Sequence, residues 1–244
     1  MCIGRRVRAA IAVAAAFVVC LGVSRGPARA GDDGAQFLFF TGGDIWRNGD
    51  FAYGGLLWSA NGLDREGFTL KTVMSGGLYR YNSGALGNVD VIGREFVAQV
   101  LPGWRFKRDR LEVKVFAGLD LESHRLVPDD PTSRLRGGDV GARAAIDIWY
   151  EPTPDTMLAA DGSISTIVTN YSARIAYGWR VLDRFYLGPE AQTFACEGYE
   201  QVRLGVHLTG FKTDSTEWSA AAGWSDDSDH RGSAYFRFGV LTRR

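Results

Sequence analysis

The sequence predicts an all-β fold, a single antiparallel sheet closed into a barrel of about twelve strands, and three observations predict it. Leu111 to Glu122 alternates without a break: Leu111, Val113, Val115, Ala117, Leu119 and Leu121 on one face, Glu112, Lys114, Phe116, Gly118, Asp120 and Glu122 on the other. Successive strand residues point to opposite sides, so this strand has an aliphatic face and a mostly charged face. It runs about twice the usual five or six residues, which suits a sheet separating two solvents. The second observation is composition: 31 Gly, only 7 Pro, 12% aromatic residues and turn signals at short intervals favour an all-β domain.

The third observation lies at the start of the chain. Arg5, Arg6 and Arg8 precede an uncharged apolar run, Ala9 to Val23, and Ala28-Arg29-Ala30 forms an A-x-A cleavage signal. The run is short for a membrane span, so residues 1–30 are expected to be a cleaved secretory signal peptide and 31–244 the barrel domain. Cys20 follows Val19, where a lipoprotein signal wants a small residue, so no lipid anchor is expected. Five of the 28 basic residues leave with the leader, and the mature chain becomes net acidic, which argues against a nucleic-acid partner. Cys196 alone remains of the three cysteines, so no internal disulfide is expected. No Cys/His spacing calls for zinc, and nothing calls for another cofactor. Beyond the leader no run of eighteen apolar residues occurs, so any membrane crossing is by strands, in the outer membrane with its lipid as the first partner.

The expected strands run 36–46, 51–60, 68–81, 91–106, 111–122, 139–150, 157–168, 171–181, 185–194, 200–211, 216–224 and 232–241. Asn48-Gly49 joins the first two as a hairpin signal. Phe68, Leu70, Met74 and Leu78 oppose Lys71 on the third, whereas Arg94 interrupts the apolar positions of the fourth. Residues 124–138, rich in Pro, Asp, Arg and Gly, form the longest expected loop. Val140, Ala142, Ala144, Ile146, Ile148 and Tyr150 then oppose Asp139, Arg143, Asp147 and Trp149. With both termini on the periplasmic side, short turns fall inside and the loops near 82–90, 124–138 and 225–231 outside, as outer-membrane barrels arrange them. Closure also removes sticky sheet edges. Trp46, Trp58, Trp104, Trp149, Trp179, Trp218 and Trp224, with Tyr81, Tyr150 and Tyr171, lie near strand ends, where aromatic girdles would place them; soluble core packing is the alternative.

The polar faces supply the candidate lumen. Lys71, Arg105, Lys114, Arg143, Arg174, Arg180, Arg203 and Arg237 are expected there with Glu95, Glu112, Asp120, Glu122, Asp139, Asp147, Asp161, Glu190 and Glu217, and His207 beside them. The balance of signs reads as either a selective polar path or, the favoured reading, an interior occupied by cross-strand ion pairs. No ring of one sign predicts ion selectivity.

His207, the one histidine inside an expected strand, with Glu190 and Ser219 makes a Ser-His-Glu set on paper. No G-x-S-x-G elbow accompanies it, so histidine as a hydrogen-bonder is preferred and no catalytic residue is assigned. Asp226-Asp227-Ser228-Asp229 lacks the glycine and distant Glu of a calcium loop and reads as solvated. Tyr81, Tyr171, Tyr199 and Trp224 near outer strand ends are candidates for stacking on sugar rings, with interface anchoring as the alternative.

Three blocks carry a family resemblance: Glu66 to Lys71 leading to Gly76 to Tyr81; Arg203 to Gly210; and Ala222 to Asp229 with Tyr235 and Arg237. Over nearly all of the mature chain the sequence resembles the cellulose biosynthesis protein BcsS family of alphaproteobacteria. The resemblance implies a non-enzymatic accessory protein of cellulose synthesis and secretion, with cellulose and other cellulose-synthesis proteins as partners. It brings no catalytic residues. A membrane-embedded enzyme on envelope lipids and a generic small porin are the alternative readings.

Overall fold

The computed structural model describes residues 34–244 apart from Gly198, His230 and Arg231, so the expected signal peptide lies outside the described residues. Twelve strands follow one another: β1 (Phe37–Trp46), β2 (Gly49–Ser59), β3 (Gly67–Ser83), β4 (Val89–Arg108), β5 (Leu111–Val127), β6 (Gly137–Thr153), β7 (Thr156–Ser165), β8 (Tyr171–Val181), β9 (Phe185–Cys196), β10 (Tyr199–Thr213), β11 (Thr216–Asp227) and β12 (Ser233–Arg243). Each pairs antiparallel with its chain neighbours, and β1 pairs with β12 from Leu38↔Arg243 to Trp46↔Tyr235, closing the barrel. Phe37 and Arg244 exchange two backbone hydrogen bonds of 2.7 Å, which seals the seam at the end carrying both termini.

Period-two alternation gives the barrel two surfaces. In β5 the odd positions face out, with Leu119 58% exposed, while Phe116, Asp120, Glu122 and His124 are buried inside. Val100, Val115, Ile146, Ile175, Val206 and Phe236 continue the apolar belt around the outside. At the end carrying the termini, Phe68, Trp104, Phe106, Tyr150, Trp179 and Trp218 form an exposed aromatic ring. Trp46, Trp149 and Tyr81, expected among the girdle aromatics, face inward instead, because their positions share the parity of Asp44, Asp147 and Tyr79 on the same strands.

Several strands differ in length from the sequence reading. β5 runs to Val127 and β6 starts at Gly137, so the expected loop 124–138 shrinks to residues 128–136. Beyond Leu121 the outward positions become Ser123 and Arg125, yet pairing continues, with Arg94↔Arg125 and Glu95↔His124 in register. The apolar pattern stops where the belt stops, while the backbone ladder does not. In the other direction, β7 ends at Ser165 rather than Val168, since Val168 and Thr169 take positive φ values and turn the chain.

At the end with the termini, apolar side chains cluster inside the barrel. Leu57, Leu101 and Phe116 point inward and pack with Leu63, which the 60–66 connection folds back through Gly62 at φ +91°. Leu63 N donates to Ala35 O at 2.7 Å, holding that connection against the chain start. Met157, Ala159 and Tyr186 form a second cluster with Trp149.

Inside the opposite half, rings lie over glycines of the adjacent strand. Tyr79 faces Gly93 in register, and a Cβ at Gly93 would sit 2.1 Å from the ring. This aromatic-on-glycine contact lets a bulky ring lie flat against a curved wall.

Candidate functional site

Inside the closed sheet, charged side chains meet across strands in layers. Above the apolar cluster, Lys71 Nζ lies 3.0 Å from Asp147 and 5.1 Å from the Phe116 ring centroid. Nearby, Glu112 accepts from Lys114 at 2.6 Å and lies 3.9 Å from Arg105. Arg180 donates to Pro154 O at 2.8 Å and stacks on Tyr186, while Glu217 sits partly buried at the same end on β11.

In the middle, Arg174 pairs with Asp161 at 2.6 Å and reaches Glu190 at 3.7 Å. Glu190 also accepts from Arg237 and, at 3.0 Å, from the Tyr235 hydroxyl. These arginines and Lys71 retain about a fifth of their side-chain exposure, so this layer is less enclosed than the one towards the loop end.

Towards the loop end the interior is dry. Arg143 lies 2.8 Å from Asp120 and 3.1 Å from Glu122, and both carboxylates have no side-chain exposure. Ser165 Oγ adds a 2.6 Å hydrogen bond to Asp120. Arg203, 1% exposed, pairs with Asp44, donates to Gln201 at 2.6 Å, and lies 4.6, 5.0 and 5.2 Å from the rings of Trp46, Phe194 and Tyr235. A guanidinium is weakly hydrated and stacks well on aromatic faces, which is why it suits this place. Asp139 sits partly buried, in register with Glu122. Glu95, Glu122 and His124 bring one ligand atom each within 4.8 Å of one another.

The Ser-His-Glu set does not assemble. His207 meets Thr209 Oγ1 at 2.9 Å and the Tyr177 carbonyl at 3.2 Å, Glu190 is held by arginines and Tyr235, and Ser219 donates to the Gly239 carbonyl. The four candidate stacking aromatics do not share a surface either. Tyr171 and Trp224 face outward, 39% and 60% exposed, whereas Tyr81 and Tyr199 point inward to Asp130 and Asp227. Asp227, expected in a solvated run, is likewise drawn inside, where it accepts from Asn48 at 2.9 Å. Strand parity decides each of these placements.

Sequence reasoning missed a strap across the loop end. Residues 128–136 contact β3 through Asp130, which accepts from the Tyr81 hydroxyl at 3.0 Å. On the far side of the ring, Glu197 in the β9–β10 turn accepts from Ser133 Oγ and Leu135 N, each at 3.0 Å, and from Arg134 N. β3 and the β9–β10 turn stand nearly opposite in strand order, so the segment crosses the mouth. Hydrogen bonds from Thr132, Ser83 and Tyr81 hold the Asp130 carboxyl down to about 2.

A closed even-numbered antiparallel barrel with an apolar belt, an aromatic ring and an inward set of paired charges defines the class: an outer-membrane-type β-barrel. The model of the cellulose biosynthesis protein BcsS family matches residues 38–244, and the chain belongs to that family. No curated protein sequence matches it. Among solved structures, an outer-membrane channel from Pseudomonas putida F1 is similar at TM-score 0.56 and 11% identity, over 91% of this chain and 100% of that one. A monoaromatic hydrocarbon channel, the TodX deltaS2S3 mutant, is similar at TM-score 0.53 and 9% identity, over 86% of this chain and 90% of that one. At such identities the likeness is one of fold.

Proposed function

We propose that the protein is exported by its first thirty residues, inserts into the outer membrane, and assists the export or surface organisation of cellulose as a sealed, non-enzymatic barrel. Family membership supports the cellulose role, and the apolar belt supports insertion in lipid. The observation that carries the sealed reading is the occupied interior: Leu63 and its cluster at one end, the 128–136 strap at the other, and dry ion pairs such as Arg143 with Asp120 between them. A glucan chain needs a continuous path wide enough for a sugar ring, and these layers interrupt one. The working surfaces are then the outer loops and the rim, available to the polymer or to other cellulose-synthesis proteins.

Planar-bilayer recording of the folded barrel tests this. A closed trace at all applied voltages is expected, and stable conductance steps would return the protein to the small-porin reading. In cells, deletion should leave glucan synthesis by isolated membranes intact and lower or disorder cellulose at the surface. The lipid-enzyme reading requires that His207→Ala and Ser219→Ala abolish an ester-hydrolysing activity of the wild type; no such activity is expected.

A further inference from the structure

We propose that Glu95, Glu122 and His124 form a binding site for a divalent transition-metal ion of the zinc class inside the loop-end half of the barrel, beneath the strap. The three side chains come from paired strands, with Glu95 and His124 opposite each other in the β4–β5 register and Glu122 two residues before His124 on the same inward face. Ligand atoms bound to one tetrahedral zinc at about 2.0–2.1 Å lie about 3.3–3.4 Å apart. His124 Nε2 and Glu122 Oε2 are 3.4 Å apart, and all three ligand atoms lie within 4.8 Å. A small swing of Glu95 closes the remainder, and no hydrogen bond or ion pair among the described residues holds its carboxylate in place.

The surroundings are those of a cation site. Tyr79 Oη meets His124 Nδ1 at 3.2 Å, and with Nδ1–H donating to that hydroxyl the Nε2 lone pair is free to bind. On its other oxygen, Glu122 is fixed by Arg143 Nη2 at 3.1 Å, leaving Oε2 for the ion. Asp120 and Glu122 share the guanidinium of Arg143, while Glu95 lies beside Glu122 with no ion pair of its own among the described residues. A divalent ion balances that excess and removes the repulsion between Glu95 and Glu122. One imidazole and two carboxylates suit zinc or another late first-row ion rather than calcium or magnesium, which take oxygen ligands alone. The bound ion ties β4 to β5 just below the strap.

The competing occupant is a proton shared among the same groups. Untagged barrel, folded in detergent and stripped with chelator, is titrated with Zn²⁺ by calorimetry, with bound metal counted after dialysis. One zinc per barrel is expected, with a rise in Tm that chelator reverses. Glu95→Gln removes a ligand that holds nothing else among the described residues, so this variant should fold as the wild type does and lose the stoichiometric zinc and its Tm rise. His124→Ala should do the same, and Tyr79→Phe, which leaves all three ligands, should weaken binding by about 10–100-fold. No stoichiometric binding to the wild type means a shared proton only and overturns the proposal, as does zinc binding unchanged in Glu95→Gln. The folding readout is independent of cellulose or conductance, so failure here leaves the sealed-barrel reading standing.

Discussion

Replacing Arg143 with Met tests whether the dry charge layer holds the barrel together. The change keeps an unbranched side chain about as long as the arginine's aliphatic stem and removes the charge that two carboxylates with no side-chain exposure depend on. Breaking a buried pair by deleting one partner costs about 3–5 kcal/mol, because the other charge stays buried and uncompensated. Ser165 still donates to Asp120 at 2.6 Å, and Asn170 and His124 still approach Glu122 at 3.4 Å. These contacts keep part of the solvation, which puts the cost near the lower limit, about 3 kcal/mol or roughly a hundredfold in the folding equilibrium. By contrast, Lys71 and Asp147 keep 21% and 26% side-chain exposure, and Lys71→Met should cost about 1 kcal/mol or less. Reversible urea unfolding in lipid vesicles with chelator present, followed by tryptophan fluorescence, measures both. Adding Asp120→Asn and Glu122→Gln to Arg143→Met removes the stranded charges and should restore most of the loss. An Arg143→Met cost no larger than that of Lys71→Met, or a triple variant no better than the single, would refute the electrostatic account.

Three further outcomes are expected. Leu119→Arg places a charge on an outward position that is 58% exposed in mid-strand and should cost about 2–4 kcal/mol in vesicles, whereas Leu111→Arg at the strand end should cost about 1 or less; equal costs in the same urea assay would deny the depth of the apolar belt. Gly93→Ala, whose added carbon would lie 2.1 Å from the Tyr79 ring, should cost about 1–3 kcal/mol and move Tyr79 away from His124, visible as a lowered urea midpoint and altered histidine resonances. The Asp130 carboxyl, lowered from 3.8 to about 2, contributes to strap closure fully above its unfolded value and loses that contribution as pH falls through about 2. Hydrogen exchange at the Thr132 amide, which donates to Asp130 Oδ1 at 3.0 Å, should therefore be steady from neutral pH to about 4, after allowance for intrinsic rates, and lose protection towards 2; Asp130→Ala should show the unprotected rate throughout.

Much of the architecture is legible from period-two alternation. Where an outward face meets an apolar medium and the inward face carries charge, as from Leu111 to Glu122, each residue's side is set by parity alone. Reading fails where that contrast ends. The Pro, Asp, Arg and Gly content that marks 124–138 as a loop takes in His124, although the β4–β5 ladder continues through Val127. Arg94, which spoiled the fourth strand's pattern, lies opposite Arg125 at the same level, past the belt. The outward face had turned polar there while the backbone still required partners.

Partnership inside the lumen belongs to the closed structure. Parity places Arg203 and Asp44 on inward faces, but they lie on strands β10 and β1, with β11 and β12 between them, so only curvature of the sheet joins them. The strap on Glu197 and the Tyr79–His124 contact depend in the same way on register and closure. The sequence by itself determined which solvent each strand face meets, the near-even charge of the interior and the family, because these are local patterns. The tertiary structure alone decided which charges pair, that an apolar cluster lies inside one end and a segment crosses the other, and that two glutamates and a histidine converge, because each requires a distance between strands that alternation does not encode.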